Sequence, residues 1–252
     1  MSEFLINFAP VYNCQLTDMK KILVTGASGF IGSFIVEEAL RRGLDTWAAV
    51  RKGSSRRYLK DGRIHFVELD LGNPDDLRAK LSAVGFDYIV HAAGATKCLH
   101  AADFFRVNTQ GTANLAAAAV AACPGLERFV FLSSLSVCGP VRETMPYTDI
   151  TDGDTPCPDT AYGRSKLEAE RALDGMAGLH FTVLRPTGVY GPREKDYFMM
   201  AESIKRHVDF AAGLKPQDLT FIYVKDLVEA VFLALERGRD GARYFLSDGC
   251  VY

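Results

Sequence analysis

The feature that most constrains the fold is a glycine-rich turn between a short apolar run and an amphipathic stretch. The run Lys21-Ile-Leu-Val-Thr25 is typical of a buried strand, and apolar residues recur at helical spacing over residues 30–42. Between them, Gly26, Gly29 and Gly32 have the spacing G-x-x-G-x-x-G. Glycine permits a tight turn and a close approach of backbone N–H groups to a pyrophosphate at the helix N-terminus. In this context the turn predicts dinucleotide binding rather than a bare structural turn, through Gly26, Ser28, Gly29, Phe30, Ile31 and Gly32.

Length and charge exclude several classes of protein. The 252 residues carry 29 basic and 31 acidic side chains, a formal net charge of −2. The chain therefore lacks the excess of basic charge that is typical of nucleic-acid-binding proteins. The longest wholly apolar run, residues 115–123, is far shorter than the roughly 20 residues needed to cross a bilayer. We therefore expect no membrane span, and one extended domain or one domain with a small lobe.

The cysteines and the first residues bear on location. Six cysteines are scattered without a C-x-x-C pair or histidines at metal-ligand spacing, so we expect reduced thiols and no metal site. Residues 1–18 lack a basic segment and a cleavage signal, so they do not fit a signal peptide. We expect a disordered leader or a non-native start there, and a cytoplasmic protein.

The rest of the chain alternates short β-branched runs with longer helical periods, which is typical of βαβ units. The prediction is an α/β fold: a doubly wound parallel sheet (Rossmann) with a small, apparently shortened C-terminal substrate lobe. We expect a dinucleotide-binding core over residues 19–180, and a region over 181–252 that completes the core and forms the lobe. Further strands are predicted at 45–50, 64–69, 88–92, 128–132, 180–184 and 244–247, and helices at 75–81, 101–122, 161–176, 197–207 and 226–237.

Basic residues after the second strand bear on the choice of cofactor. An NAD-selective site usually has an acidic residue at this point, but this chain has Arg51, followed by Lys52, Arg56 and Arg57. These donors suit a 2′-phosphate, so NADP is favoured over NAD, although a solvated basic loop is the alternative. Other expected cofactor contacts are Asp70 and Leu71 after the third strand, and Ala92, Ala93 and Gly94 after the fourth.

The chemistry is indicated by Tyr162 and Lys166, which stand four residues apart and so share one helix face. An isolated phenol, with a pKa of about 10, is a poor base at neutral pH, but a nearby lysine favours the phenolate and tunes it for proton transfer. The phenol would exchange a proton with a substrate oxygen while a nicotinamide exchanges hydride. Ser134, after the fifth strand, could hydrogen-bond the same oxygen. The tyrosine–lysine spacing and the serine cluster each occur by chance in many helices. Their position in the chain after the glycine turn favours the catalytic interpretation.

These motifs together resemble the extended short-chain dehydrogenase/reductase family, the NAD(P)-dependent epimerase/dehydratase group, over nearly everything from Met19 onward. The resemblance implies that Ser134, Tyr162 and Lys166 are catalytic and that Asn108 steadies the central helix beside the cofactor. It also implies that the turn containing Pro186 and Val189 contacts the nicotinamide end. The matching motifs are Thr25-Gly-Ala-Ser-Gly-Phe-Ile-Gly32, His91-Ala-Ala-Gly94, Val107-Asn-Thr-Gln-Gly-Thr112, Ser133-Ser-Leu-Ser-Val-Cys-Gly139, Tyr162-Gly-Arg-Ser-Lys166, Leu184-Arg-Pro-Thr-Gly-Val-Tyr-Gly-Pro192 and Phe221-Ile-Tyr-Val-Lys-Asp-Leu227.

Departures from the family pattern concern the substrate. The arginine that grips a sugar-nucleotide diphosphate in many relatives is missing from residues 217–220, although Lys215 or Arg206 could replace it, and Cys138 replaces a usual tyrosine. The family implies hydride transfer to or from a sugar, a nucleotide sugar or another secondary alcohol or ketone. The alternative is an NADPH-dependent carbonyl reductase similar to dihydroflavonol reductases and hydroxysteroid dehydrogenases. A non-catalytic NADP-binding redox sensor is a further reading, against which the intact tyrosine and lysine argue.

Substrate contacts and partners are less strongly indicated. Thr96, Ser136 and Thr187 are candidate contacts to a small-molecule substrate, and the long loop over 139–160 adds Glu143, Thr144 and Thr148. His91 and Trp47 are expected to be packed in the core. The resemblance implies a homodimer built from helix 101–122 and the Tyr162 helix. It also implies a chain that is naturally short or truncated, because relatives usually continue past Tyr252.

Overall fold

The computed structural model describes residues 19–139, 149–207 and 219–252. The predicted leader, Lys215 and the three candidate contacts Glu143, Thr144 and Thr148 lie outside the described residues. No helix in the described part of the chain is long and apolar enough to span a bilayer.

A seven-stranded parallel sheet in the order β3-β2-β1-β4-β5-β6-β9 forms the centre of the molecule. The order reverses direction between β1 and β4, where Thr25 pairs with His91, so both strands end at the same edge. Ligands of doubly wound folds bind at this reversal. The strands are β1 Lys21–Thr25, β2 Asp45–Val50, β3 His65–Glu68, β4 Tyr88–His91, β5 Arg128–Leu132, β6 Phe181–Pro186 and β9 Arg243–Leu246.

Helices cover both faces of the sheet because successive strand residues point to opposite sides. Ile22 and Val24 of β1 pack in one apolar cluster with α1 and α7, whereas Leu23 packs in a second cluster with α2, α4 and α5. This confirms the predicted doubly wound α/β fold. The helices are α1 Phe30–Arg41, α2 Pro74–Val84, α3 Ala101–Phe104, α4 Gly111–Ala122, α5 Ala161–Asp174, α6 Asp196–Lys205 and α7 Val224–Arg237.

Two features differ from the predicted elements. The helix predicted over 101–122 is interrupted, because its middle turn, Phe105–Gln110, is π-helical and contains Asn108. A two-stranded parallel ribbon, β7 Gly188–Tyr190 with β8 Phe221–Tyr223, was not predicted. Each of its strands has only three residues, too few for a recognisable alternation. Single π turns inside helices are frequent at functional sites, and the ribbon forms one wall of the cavity described below.

Candidate active site

The glycine turn between β1 and α1 is packed against the chain that follows β4. Gly26 has φ +68°, and a Cβ added there would lie 2.7 Å from the backbone of Ala92 and Ala93. A Cβ at Gly32 would clash with the carbonyl oxygen of Gly26. Helix α1 has no side-chain N-cap, and in the described part of the chain no side chain accepts from its first N–H groups. This shape fits a pyrophosphate held by backbone N–H groups at a helix N-terminus.

A buried polar chain links this turn to the central helix through His91. Thr25 Oγ1 donates to His91 Nδ1 (2.6 Å) and accepts from the Ala93 N–H (3.2 Å). His91 Nε2 then donates to Thr112 Oγ1 (2.9 Å), which donates to the Asn108 carbonyl (2.5 Å). Complete burial lowers the pKa of His91 to about 3, so the ring is neutral. His91 is therefore a packed core histidine, as predicted.

Asn108, in the π-helical turn, connects the chain after β4 with α5. Its Oδ1 accepts from the Ala95 N–H (2.7 Å), and its Nδ2 donates to the Ala95 carbonyl (3.0 Å) and to Ser165 Oγ (3.0 Å). Thr109 Oγ1 also donates to the Ser165 carbonyl (2.8 Å). Asn108 is only 1% exposed, so it fixes the helix bearing Tyr162 and Lys166 relative to Gly94 and Ala95.

Tyr162 and Ser134 are placed by close packing of the first turn of α5 on the turn after β5. Thr160 Oγ1 caps α5 by accepting from the Gly163 N–H (3.0 Å), and Gly163 lies against the Ser136 carbonyl. Ser134 Oγ donates to Ser136 Oγ (3.1 Å) and accepts from the Ser136 N–H (3.2 Å). Burial raises the pKa of Tyr162, and the Ser134 hydroxyl lowers it in part. The phenol is therefore protonated at neutral pH.

The pKa of the Tyr162 phenol shifts in the direction opposite to the one expected from Lys166. Lys166 Nζ donates to the Leu132 carbonyl (2.8 Å) and lies 4.7 Å from the centroid of the Phe131 ring. It is buried, which lowers its pKa to about 8 although Glu170 opposes the shift. The pKa of Tyr162 is raised rather than lowered, because desolvation of the phenol dominates. A Cβ at Gly94 would lie 3.2 Å from Lys166 Nζ, so the amine is directly beside the expected cofactor segment.

A buried carboxylate that was not predicted from the sequence, Glu170, lies one turn beyond Lys166. Glu170 accepts from Ser133 Oγ (2.5 Å), from Nε and Nη2 of Arg185 (3.1 and 2.7 Å) and from Nε of Arg243 (3.1 Å). These contacts attach α5 to β5, β6 and β9. The available signal was spacing, because Tyr162, Lys166 and Glu170 follow one another at four-residue intervals on one helix face.

Tyr162 and Ser134 open on a cavity of about 700 Å³, within the usual range for small-molecule sites. The three candidate substrate contacts, Thr96, Ser136 and Thr187, all line it. In the described part of the lining the one formally charged side chain is Asp159. The lining also contains Leu135, Gly139, Ile150, Thr160, Pro186, Gly188, Val189, Tyr197, Leu219, Thr220 and Phe221.

The residues expected at the adenosine end lie outside this cavity, beyond the same edge of the sheet. Arg51 follows β2, is exposed and has no side-chain partner among the residues described. Asp70 accepts from the Gly72 N–H (2.9 Å), and the Leu71 carbonyl accepts from Asn114 Nδ2 (2.8 Å). Two of the other expected phosphate donors are partly engaged: the Arg56 guanidinium lies 4.1 Å from the centroid of the Phe66 ring and that of Arg57 lies 4.3 Å from the centroid of the Tyr58 ring.

Comparisons with known proteins agree with this geometry. The profile of the NAD dependent epimerase/dehydratase family matches residues 22–246. A 3-beta-hydroxysteroid dehydrogenase of Mycolicibacterium neoaurum is 30% identical over 92% of this chain and 67% of the relative. A UDP-glucose 4-epimerase of Vibrio cholerae is 28% identical over 91% and 71%. The chain spans about two thirds of the length of the 3-beta-hydroxysteroid dehydrogenases it matches.

Solved structures show the same similarity. A UDP-glucose 4-epimerase of Thermotoga maritima, with UDP-glucose, has a TM-score of 0.81 and 25% identity, covering 92% of this chain and 78% of that one. A UDP-glucose 4-epimerase of Thermus thermophilus in complex with NAD has a TM-score of 0.78 and 25% identity, covering 92% and 79%. The similarity therefore covers most of this chain.

Proposed function

The chain belongs to the NAD dependent epimerase/dehydratase family, and we propose that it is an NAD(P)-dependent oxidoreductase acting on a secondary alcohol or ketone. The observation that carries the proposal is the convergence of three side chains. Tyr162 and Ser134 line one cavity, and Lys166 is buried on the same helix as Tyr162, beside Gly94.

The cofactor fits the observed shape of the chain. The close approaches at Gly26 and Gly32 leave backbone where a pyrophosphate needs it, and Gly94 leaves room beside Lys166. Pro186 and Val189 line the cavity, so the nicotinamide end belongs there. A bound nicotinamide supplies or accepts the hydride. The remaining proposed contacts are Ser28, Gly29, Phe30, Ile31, Asp70, Leu71, Ala92, Ala93, Asn108, Tyr162 and Lys166.

Tyr162 holds the proton in this scheme. Because burial raises its pKa, the phenol is a proton donor at neutral pH and protonates a carbonyl oxygen that Ser134 also hydrogen-bonds. The buried Lys166 amine lies on the same helix face and stabilises the phenolate left behind.

NADP is the preferred cofactor in this proposal, because Arg51 follows β2 and its guanidinium has no partner among the described residues. A 2′-phosphate would give it a charge-assisted partner. Two similar structures, a dehydratase from Streptomyces venezuelae and the Thermus thermophilus epimerase, contain NAD, so the preference rests on this arginine alone.

The described cavity lining favours an uncharged substrate. It contains apolar side chains, hydroxyls and one carboxylate, Asp159, and no lysine or arginine within the residues described. A nucleotide sugar carries a diphosphate, for which cationic partners are usual. The proposed substrate is therefore a neutral ketone or alcohol held by Thr96, Ser136 and Thr187. The second candidate, epimerisation of a nucleotide sugar, is supported by the similarity to UDP-glucose 4-epimerases.

The proposal also includes the domain organisation, the oligomeric state and the cellular location of the protein. Residues 19–180 form the dinucleotide-binding core, and 181–252 complete it and contribute the substrate lobe. A homodimer through α4 is supported by its exposed small apolar residues Ala117, Val120 and Ala121. A cytoplasmic location is supported by the five cysteines of the described residues, all free thiols.

The test is a calorimetric titration of the purified protein with NADPH, NADP, NADH and NAD, followed by NADPH oxidation assays. The assays compare uncharged cyclic ketones with UDP-glucose. The proposal expects selective, reversible NADPH binding and oxidation with at least one neutral ketone. Tightly held NAD with conversion of UDP-glucose would favour the epimerase instead, and absence of dinucleotide binding would contradict both.

A further inference from the structure

Arg193 has an unfavourable backbone conformation in the turn after β7. The Glu194 N–H donates to the Gly191 carbonyl (3.2 Å), which closes a β-turn with Pro192 and Arg193 at its centre. Arg193 has φ +77°. Proline before a positive φ is the pattern of a type II turn, in which glycine or asparagine normally occupies this third position. An arginine there is strained, and such strain persists only where the surroundings fix the residue.

The Arg193 side chain makes the contacts that offset this strain. Nη1 donates to Ser33 Oγ (2.8 Å) and Nη2 donates to Glu37 Oε1 (2.6 Å), two residues on one face of α1. The guanidinium carbon lies 4.1 Å from the centroid of the Phe34 ring and 4.6 Å from that of Tyr58. The side chain is 20% exposed, so these ion-pair and cation–π contacts are partly shielded from water.

Three segments meet at this one guanidinium. Ser33 directly follows Gly32 of the glycine turn, and Tyr58 lies in the segment that begins with Arg51. Arg193 itself follows β7, whose Gly188 and Val189 line the cavity. The contacts therefore connect the pyrophosphate, adenosine and nicotinamide parts of the proposed dinucleotide groove.

We propose that Arg193 is a positioning residue that holds these three segments at a fixed separation, so that both ends of a dinucleotide bind one preorganised groove. The proposal rests on the proposed function, because it presupposes that the groove binds NADP. Preorganisation raises affinity for a ligand that spans the segments, and leaves unchanged the affinity for a fragment that touches only one end.

The experiment uses the full chain with Arg193→Gly and Arg193→Lys. Glycine removes the guanidinium with its contacts and relieves the positive-φ strain. Lysine keeps the charge but has one nitrogen in place of the two that contact Ser33 and Glu37. The matched control is Arg41→Gln, because Arg41 is an exposed arginine of α1 whose ion pairs go to Glu38 and Glu229. It removes the same charge from α1 without touching the contacts of Arg193. Each protein is titrated with NADPH and with adenosine 2′-monophosphate, which touches only the adenosine end, and its thermal midpoint is measured.

The proposal predicts that Arg193→Gly and Arg193→Lys weaken NADPH binding roughly tenfold, about the loss expected for a charge-assisted contact. Binding of adenosine 2′-monophosphate stays within about twofold, the Arg41→Gln protein behaves as wild type, and the thermal midpoint of Arg193→Gly is not lowered. Unchanged NADPH affinity, or an equal loss for the fragment, would overturn the role of Arg193. Failure of the wild-type protein to bind NADPH would overturn the proposed function as well. Should Arg193→Gly fail to fold, the same comparison is made with Arg193→Lys alone.

Discussion

Lys166 Nζ donates to the carbonyl of Leu132, the last residue of β5, at 2.8 Å. One turn later on the same helix, Glu170 accepts from Ser133 Oγ at 2.5 Å. The end of β5 is thus held by two successive turns of α5. Because Ser134 comes next in the chain and Tyr162 begins the same helix, their relative position is set by buried contacts rather than by a surface loop.

Replacement of Arg51 should change the choice of cofactor. Arg51→Asp should weaken NADPH binding and improve NADH binding, because a carboxylate repels the 2′-phosphate and accepts hydrogen bonds from a 2′-hydroxyl. The measurement is the ratio of the two dissociation constants from calorimetry. Lys225→Asp is the control, since it makes the same charge change at an exposed position in the first turn of α7. An unchanged ratio in Arg51→Asp would refute the phosphate contact.

Loss of the Glu170 carboxylate should be costly to stability. Glu170→Gln leaves Arg185, whose side chain is 8% exposed, without its charged partner, and a broken buried pair typically costs about 3–5 kcal/mol. The free energy of unfolding by urea provides the measurement. Glu168→Gln on the same helix is the control, because its pair with Arg171 is exposed and such pairs are worth about 0–1 kcal/mol. Equal losses in the two variants would contradict the assigned role of Glu170.

Burial of His91 should make the fold sensitive to mild acid. The folded pKa is about 3, below the ordinary value of 6.5, so the unfolded chain binds the additional proton between these values. The His91 contribution to stability is complete above pH 6.5 and decreases as the pH falls, by up to about 1.4 kcal/mol per pH unit. Unfolding free energies between pH 7 and pH 5 should therefore fall more steeply in wild type than in His91→Asn. Parallel curves would show that His91 does not remain neutral in the folded protein.

The sequence predicted most of the sheet because its strands are short, buried, β-branched runs. Residues 21–25, 45–50 and 128–132 form strands with the predicted ends. The β7–β8 ribbon was missed because three-residue strands carry no periodicity. Trp47, which was predicted to be packed in the core, is only partly buried. Its ring stacks on His65, with the two ring centroids 4.8 Å apart. The order of the site motifs could be predicted from the sequence. The three candidate substrate contacts Thr96, Ser136 and Thr187 line the cavity.

Properties that depend on burial could not be read from spacing. Four-residue spacing suggested that Lys166 lowers the pKa of Tyr162, whereas desolvation raises it. The contacts of Glu170 and Arg193 join residues distant in the chain, such as Arg193 and Ser33, so spacing can indicate the helix face of Glu170 but not the partners of either residue. The roles assigned to the cofactor-binding and catalytic residues remain predictions.

The central claim, that Tyr162 is the proton donor in nicotinamide-dependent reduction, is tested most directly by Tyr162→Phe. The measurement is NADPH oxidation with a neutral ketone turned over by the wild type, together with the NADPH dissociation constant. Tyr197→Phe removes a hydroxyl from the same cavity and is the control. We expect Tyr162→Phe to lower turnover by about 10²-fold or more with unchanged NADPH affinity, and Tyr197→Phe to retain turnover. Turnover of Tyr162→Phe at the wild-type rate would show that Tyr162 is not the proton donor.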